Sequence, residues 1–447
     1  MTSQPLLPAL LLMTSLLVFL SAARAQDDVY PAKPYTGRLF ITGGTIHIGN
    51  GQVIEGGTIE VNNGKIVQVG QNITPSGDAK VVDAKGRQVY PGLILPETDL
   101  GLKEIANGVR GSNDFEELGD LNPSIRSIVA YNTDSKIINT LKANGILLAC
   151  VVPQGGTISG SSTVVQLDAW NWEDAAYKMD GGIHLNLPTF IARPSRFAIF
   201  LGLPQTPQTD VAKNALAKID EIKTFFRQAK AYLQEPAHKA TNLKFEAVKG
   251  LFTKQQKLFV HGDEIKQMLV AIDFVKEFGF DVVIVGGSES WLIADLLRQN
   301  KVAVILQQEH ALPTTEDDDV DQPYKTPAQL QKAGVLFALN DNHDESRYRN
   351  LSFNAGTAAA YGLTKEQALQ AITLNSAKIL GIDDRTGSLE AGKDANIVIS
   401  WGDILDMRTS LIEHAFIQGR EVSLENKQTE LYKRYMTKYG LPIVPTP

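Results

Sequence analysis

Two places in the chain carry carboxylates whose type and spacing could support chemistry. At the first, Glu97 and Asp99 follow the apolar run 92–95 and lie two residues apart. Side chains at positions i and i+2 of an extended strand point the same way, so both carboxylates can reach one ion. Oxygen donors of this kind favour Mn²⁺, Mg²⁺ or Ca²⁺ over Zn²⁺.

The second place is the polar run from Asp341 to Arg347, which reads DNHDESR and begins two residues after the end of the apolar run 335–339. Polar loops that follow barrel strands often carry function. We therefore predict an active-site loop here, with Asp341 and His343 as its catalytic residues. His310 follows the apolar run 302–306, and it can add a ligand or a base.

The composition excludes several classes of protein. The chain has 447 residues, of which 43% are hydrophobic and 21% charged, so it can bury a large core and is not a disordered chain. One cysteine, Cys150, excludes an internal disulfide framework and a Cys-rich zinc module, and its apolar surroundings predict an inert buried thiol. The net charge of −7 leaves no basic surface for nucleic acid.

The elements that position these residues are those of a barrel. Near-continuous apolar runs alternate with amphipathic helical stretches, as in parallel strands that are covered on both faces. We predict an α/β fold with a distorted (β/α)8 TIM barrel. Its eight strands are predicted at 92–95, 146–152, 163–167, 183–187, 257–261, 281–285, 302–306 and 335–339. Helices are predicted at 134–143, 263–278, 289–299, 326–333 and 364–380, and a helical insertion at 205–255.

Both ends of the chain are rich in β-strand signals. Short β-branched runs between 38 and 90 are punctuated by Asn50-Gly51 and Asn63-Gly64, which favour hairpins. The pattern returns near the carboxyl end, so the simplest packing joins both ends in a small β-sandwich. The predicted domains are a signal peptide at 1–25, the sandwich at 26–90 and 386–447, and the barrel at 91–385.

The first residues resemble an export signal. The apolar run 6–20 is short for a membrane span of about 20 residues. Ala23 and Ala25 give the small-x-small pattern of a signal-peptidase site, although no Lys or Arg precedes the apolar run. We expect cleavage after Ala25 and an exported protein, periplasmic or extracellular, with no stable membrane anchor. The alternative is an uncleaved amino-terminal anchor.

Motifs at both ends of the barrel resemble those of the amidohydrolase superfamily, and the imidazolonepropionase-like branch of secreted bacterial proteins in particular. The resemblance covers about residues 38–420. It lies in five segments, which read ITGGTI at 41–46, VDAKG at 82–86, YPGLI at 90–94, AITLNSAKILG at 371–381 and GSLEAGKDANIV at 387–398. It implies a barrel with a composite sandwich, and hydrolysis of C–N bonds by water that a divalent metal activates at the mouth of the barrel.

The resemblance also implies metal ligands, and this sequence departs from them. Glu97 and Asp99 stand where the family has a His-x-His pair, and Gly286 stands where a histidine is expected after the sixth strand. His261 after the fifth strand is retained, as is Asp341 after the eighth if the register slips by one residue. The fourth-strand ligand has no clear counterpart, since Asn186 and Gln166 are neither Lys nor Glu.

Two interpretations follow. In the first, Glu97, Asp99, His261 and Asp341 bind a divalent ion, such as Zn²⁺, Mn²⁺ or Mg²⁺, and the chain is a metal-assisted hydrolase of amide, cyclic amide or dipeptide C–N bonds in small molecules. In the second, the metal site has decayed and the chain is an inactive binding or partner subunit, without a metal, that pairs with an active paralogue. A homodimer is the default assembly in the first case.

Overall fold

Sixteen strands and twelve helices lie in the part of the chain that the structure describes. The structure is a computed structural model, and it describes residues 29–104, 114–192, 208–307, 310–313, 315, 317–341 and 346–443. The predicted signal peptide and His343 lie outside these residues. The fold described below is that of the compact unit that begins at Pro31.

The bounds of the elements are as follows. The strands are β1 (Arg38–His47), β2 (Val53–Asn62), β3 (Lys65–Gly70), β4 (Lys80–Asp83), β5 (Gln88–Pro91), β6 (Leu93–Thr98), β7 (Ile146–Val151), β8 (Ile158–Gln166), β9 (Ala176–Asn186), β10 (Lys257–Gly262), β11 (Val282–Gly286), β12 (Ala303–Leu306), β13 (Phe337–Leu339), β14 (Ile397–Ser400), β15 (Ile412–Ile417) and β16 (Arg420–Glu421). The helices are α1 (Lys136–Lys142), α2 (Trp172–Ala175), α3 (Gln208–Gln234), α4 (Leu243–Ala247), α5 (Lys249–Phe252), α6 (Ile265–Phe278), α7 (Ala294–Gln299), α8 (Gln322–Ala333), α9 (Leu351–Ala360), α10 (Lys365–Ala371), α11 (Leu374–Leu380) and α12 (Lys427–Lys438).

Strands β6 to β13 form one eight-stranded sheet in chain order, which confirms the barrel. Every residue of β7, β11 and β12 is buried, as expected for strands that are covered on both faces. The sheet is nearly closed. Across the gap between its first and last strands, the Asn340 side chain donates to the backbone carbonyl of Glu97 at 2.9 Å.

The barrel is distorted at β8, which runs antiparallel to both of its neighbours, β7 and β9. The reversed strand places Thr157 beside Asn186 at the mouth, where the Asn186 amide donates to the Thr157 carbonyl. Gln166 therefore lies at the opposite end of the barrel, where it contacts Arg420 and Asp174. The sequence analysis assumed that all eight barrel strands were parallel, and for β8 that was wrong.

The two chain ends form a second sheet, as predicted. Its order is β16-β15-β14-β5-β1-β2-β3, with β4 also paired to β1. The antiparallel pairing of β14 with β5 joins the carboxyl end of the chain to the strand that leads into the barrel. Buried aliphatic side chains from β1, β2, β5 and β14 give this sheet a hydrophobic core separate from that of the barrel.

The helices follow the predictions with several differences. The helix predicted at 289–299 is α-helical only from Ala294. The stretch predicted as one helix at 364–380 is divided into α10 and α11 by Ile372 and Thr373, whose backbone is not helical. Helix α8 begins four residues earlier than predicted, with Pro323 in its first turn, where proline is well tolerated. No helix among the described residues is both long and apolar enough to cross a membrane.

Candidate active site at the mouth of the barrel

The carboxylate of Glu97 is buried at the end of β6. It is 2% exposed, and its Oε2 accepts a hydrogen bond from Gln307 Nε2 at 2.6 Å and another from Asn340 Nδ2 at 3.3 Å. Gln307 directly follows β12 and Asn340 directly follows β13, so the ends of three strands meet at this carboxylate. These amide donors satisfy the hydrogen-bonding capacity of the buried oxygen.

Asp99 lies two residues after Glu97 and is also buried. One of its oxygens accepts a short hydrogen bond from the hydroxyl of Tyr348, and the other accepts from Gln154 Nε2 at 3.3 Å. Lys103 Nζ stands 3.7 Å from the same carboxylate. Burial and the neighbouring Asp99 charge raise the pKa of Tyr348, so this phenol stays protonated and acts as a donor.

Asp341 follows β13 and is completely buried. Its Oδ2 accepts from Asn354 Nδ2 at 3.1 Å, and Arg347 Nε lies 3.8 Å away. Its Oδ1 has no hydrogen-bond partner among the described residues. Since a buried carboxylate oxygen is costly to leave unpaired, this atom is available to a ligand or to a water molecule.

His261 lies near the end of β10 and contacts a second histidine. Its Nε2 is 2.9 Å from Nδ1 of His184 on the neighbouring strand β9, so one ring donates to the other. Burial lowers the pKa of His261 to about 4, against the opposing effect of Asp263. The pKa of His184 is also lowered well below its ordinary value, by burial and by His261. Both rings are therefore neutral near pH 7.

Gly286, which stands where the family has a histidine, cannot be replaced by one without distortion. Its φ is +106°, a conformation that side chains rarely adopt. A Cβ at this position would lie 2.8 Å from Asp263 Oδ1 and 3.1 Å from the Gly262 carbonyl oxygen. The carboxylate of Asp263 occupies the space that a side chain at position 286 would need.

The four residues predicted to bind a metal are therefore held by other partners. No group of three or more His, Cys, Asp and Glu side chains within the described ranges is arranged to hold a metal ion. A closed zinc site needs three or four protein donors. The described residues do not fit the divalent metal centre that the family implies, and the site of Glu97, Asp99, His261 and Asp341 stays a prediction.

The remaining candidates have partners of their own. His310 contacts Thr357 Oγ1 at 2.8 Å rather than a mouth carboxylate, and Asn186 donates to the Gly156 carbonyl. Cys150 is buried, and its pKa is raised to about 12 by desolvation, as expected for an inert thiol. Four further residues at the mouth were not predicted from the sequence: Asn340, Gln307, Tyr348 and Asn354. Of these, only Asn340 could have been suspected from its neighbours, because it lies directly before Asp341.

A cavity of about 130 Å³ lies beside these carboxylates, at the ends of β10, β11 and β12. Gln307, the donor to Glu97, forms part of its wall. Its wall is otherwise both polar and apolar, with Asp263, Ser288, Asp318, Gln322 and Thr326 beside Leu306, Ala311, Leu312, Pro313 and Pro323.

Comparisons with known proteins agree with the barrel and its mouth. A model of the amidohydrolase family matches residues 291–422. The structure of an amidohydrolase from Thermotoga maritima MSB8 superposes with a TM-score of 0.70 and 27% identity, covering 86% of this chain and 99% of that one. These two matches support the assignment of the chain to the amidohydrolase superfamily.

Imidazolonepropionases are among the curated relatives of the chain, and they support a likeness to that branch of the superfamily. The protein from Symbiobacterium thermophilum is 24% identical over 388 residues, which span 78% of this chain and 84% of that protein. The protein from Picrophilus torridus is 28% identical over 176 residues. That second match spans 37% of this chain and only 42% of the relative.

Proposed function

We propose that the chain hydrolyses a C–N bond of a small amide, cyclic amide or dipeptide at the mouth of the barrel. The observation that carries this proposal is Asp341, a fully buried carboxylate after the last barrel strand, with one oxygen that has no partner among the described residues. The family frame supports the reaction class, and the polar residues that converge at the mouth support the location.

In this proposal Asp341 is the general base. Its Oδ1 accepts a proton from a water molecule, whose oxygen attacks the carbonyl carbon of the substrate. The C–N bond then breaks, the nitrogen takes up a proton, and a carboxylic acid and an amine are released. Arg347, which stands 3.8 Å from the base and is partly exposed, can donate to the carbonyl oxygen as negative charge develops there.

The test is hydrolysis of a panel of small amides, cyclic amides and dipeptides by the wild-type chain and by Asp341→Asn. A general base contributes roughly 10²- to 10⁴-fold to the rate, so the substitution should lower kcat by that factor with a smaller effect on KM. Asp319→Asn is the matched control, because Asp319 is exposed and pairs with Lys325. Equal rates for wild type and Asp341→Asn would refute the role of the base.

A second function is favoured by the way the mouth carboxylates are held. Glu97 and Asp99 are buried against amide and phenol donors, and no three potential metal ligands converge among the described residues. This arrangement suits a binding or partner subunit that pairs with an active paralogue.

Elemental analysis of protein that has been purified without chelators separates the two functions. Near-stoichiometric metal that is lost in the double variant Glu97→Ala, His261→Ala would exclude the decayed-site interpretation. Metal-free protein that stays inactive with added Mn²⁺ or Zn²⁺ would exclude the metal-assisted hydrolase.

We also propose that the protein is exported after cleavage at Ala25. The apolar run 6–20 and the alanines that follow it support this proposal. Amino-terminal sequencing of the protein from an expressing bacterium should begin at Gln26. An intact Met1 in a membrane fraction would show that the segment is an anchor instead.

A further inference from the structure

The cavity at the ends of β10, β11 and β12 is lined by the carboxylate of Asp263, which hydrogen bonds hold in position. The backbone amide of Asp263 donates to Gln267 Oε1 at 2.9 Å, in the first turn of α6. Its Oδ1 accepts from the backbone amide of Ser288 at 3.2 Å and from the Ser288 hydroxyl at 2.6 Å. Its Oδ2 has no donor among the described residues, although it belongs to a side chain that lines the cavity.

Gly286 makes this position of Asp263 possible. Because a Cβ on Gly286 would lie within 2.8 Å of Asp263 Oδ1, a larger residue would push the carboxylate out of its place. The residue that replaces the family's histidine thus creates the space for a carboxylate beside the mouth. Where the family has the nitrogen ligand of a histidine, this chain therefore has the carboxylate of Asp263.

A second carboxylate lines the same cavity from the loop that precedes α8. Its neighbours Asp319 and Asp321 both form ion pairs with Lys325, at 2.9 and 2.7 Å. Asp318, in contrast, lines the cavity and has no cationic partner among the residues that the structure describes. Two carboxylates that have no cationic partner among the described residues therefore border one small cavity, which also offers aliphatic and proline side chains to a short hydrocarbon stem.

We propose that this cavity binds the cationic group of an organic substrate, an alkylammonium or amidinium, against Asp263 and Asp318. The cation donates hydrogen bonds to the two carboxylates, and its stem packs against Leu306 and Pro323. Gln307 forms the wall between the cavity and Glu97, so the rest of the substrate extends towards the mouth. The role of this cavity as a substrate subsite rests on the proposed function. Binding of the cation can be measured without any turnover of substrate.

The experiment is calorimetric titration of the full chain with n-butylammonium chloride at constant ionic strength. Sodium butyrate and 1-butanol are the matched anionic and neutral probes. We expect saturable binding of butylammonium, and binding at least tenfold weaker of butanol and of butyrate. Asp263→Asn keeps an acceptor for Ser288, and it should weaken butylammonium binding by about tenfold or more, as should Asp318→Asn. Asp319→Asn, one residue away, should leave it unchanged.

The outcomes separate this assignment from the proposed reaction. Butylammonium that does not saturate, or butanol that binds as well, overturns the cation site. An equal loss in Asp319→Asn also overturns it, because the effect would then come from net charge alone. The comparison of the three probes on wild type remains decisive if a variant fails to fold. Cation binding by a chain that hydrolyses no amide would leave the site standing and the proposed reaction refuted. Hydrolysis without preference for cationic amides would leave the reaction standing and the substrate role of the site refuted.

Discussion

The two ends of the barrel hold their buried carboxylates by different means. At the end opposite the mouth, Asp168 is buried in contact with two cations, Lys142 Nζ at 3.0 Å and Arg420 Nε at 3.4 Å. At the mouth, Glu97 accepts from the amides of Gln307 and Asn340. The first carboxylate has its charge balanced by two cations, and the second accepts hydrogen bonds from two neutral side-chain amides.

We expect these two arrangements to contribute differently to the stability of the fold. A buried carboxylate between two cations is fixed, and removal of one partner leaves an uncompensated charge that is costly. A carboxylate that accepts from neutral amides is held by hydrogen bonds, each of which contributes less than a buried ion pair. We therefore expect the end opposite the mouth to act as a structural support, and the mouth carboxylates to contribute less to stability.

The largest effect is expected at the structural end, in Asp168→Asn. The substitution is isosteric but leaves Lys142 buried at 3% exposure without its counter-charge. Loss of one member of a buried ion pair costs about 3–5 kcal/mol, so the free energy of unfolding should fall by that amount. Urea denaturation followed by circular dichroism measures it. Asp134→Asn, an exposed partner of Lys136, is the control and should change stability by less than about 0.5 kcal/mol. A similar small change in Asp168→Asn would show that the ion pair is not a support.

The next effect is expected at the mouth, in Gly286→Ala. The φ of +106° is strained for alanine, and the new Cβ would crowd Asp263. We expect a loss of about 1–3 kcal/mol in the free energy of unfolding, as for other substitutions at strained backbone positions. Gly279→Ala is a fitting control, since its φ is also positive, at +73°, but nothing lies within 4 Å of its Cβ. Equal losses in both variants would mean that backbone strain alone, and not contact with Asp263, makes glycine necessary at 286.

The sequence could predict the strands more easily than the direction of one of them. Runs such as 146–151 and 282–286 are apolar throughout, and buried strands have this pattern whatever their partners. The six residues between β7 and β8 are too few for a crossover to a parallel strand, which needs about a dozen. That signal was hidden because the third strand was predicted to begin at 163, whereas it begins at Ile158.

The site residues could be predicted only where they lie close to the end of a strand. Glu97, Asp99 and Asp341 were found because each lies within four residues of the end of an apolar run. Their partners could not be found, since Tyr348 is 249 residues from Asp99 and Gln307 is 210 residues from Glu97. Such contacts depend on how the barrel closes, and local sequence carries no record of them. The clash that excludes a side chain at Gly286 likewise depends on a neighbouring strand.

A smaller, pH-dependent effect is expected where the second sheet meets α10. His47 contacts Glu366 Oε1 at 2.6 Å and Gln88 Oε1 at 2.9 Å. Burial lowers its pKa, but these hydrogen bonds and the Glu366 charge outweigh burial and hold the pKa above its ordinary value of 6.5. The stabilisation is complete below the unfolded pKa and is lost as pH rises through the folded pKa.

We therefore expect the free energy of unfolding to fall by roughly 1 kcal/mol more between pH 6 and pH 9 in wild type than in His47→Gln. Denaturation of both proteins at several pH values measures the difference. His414→Gln, which removes an exposed histidine paired with Glu421, controls for surface titration. Parallel pH profiles for wild type and His47→Gln would show that this pair is not charged in the folded protein, and the division between balanced and unbalanced carboxylates would then rest on Asp168 alone.

The smallest effect on stability is expected at the mouth itself, in Asp341→Asn. The amide keeps an acceptor for Asn354, and it removes a buried charge whose nearest cation, Arg347, stands 3.8 Å away and is partly exposed. The free energy of unfolding should change by less than about 1 kcal/mol, because functional sites often carry charges that reduce stability. Measured beside Asp168→Asn under the same conditions, the same chemical change should therefore cost far less stability at the mouth than at the opposite end of the barrel. A loss at Asp341 as large as that at Asp168 would mean that the mouth carboxylates are structural, and it would favour the inactive partner subunit over the hydrolase.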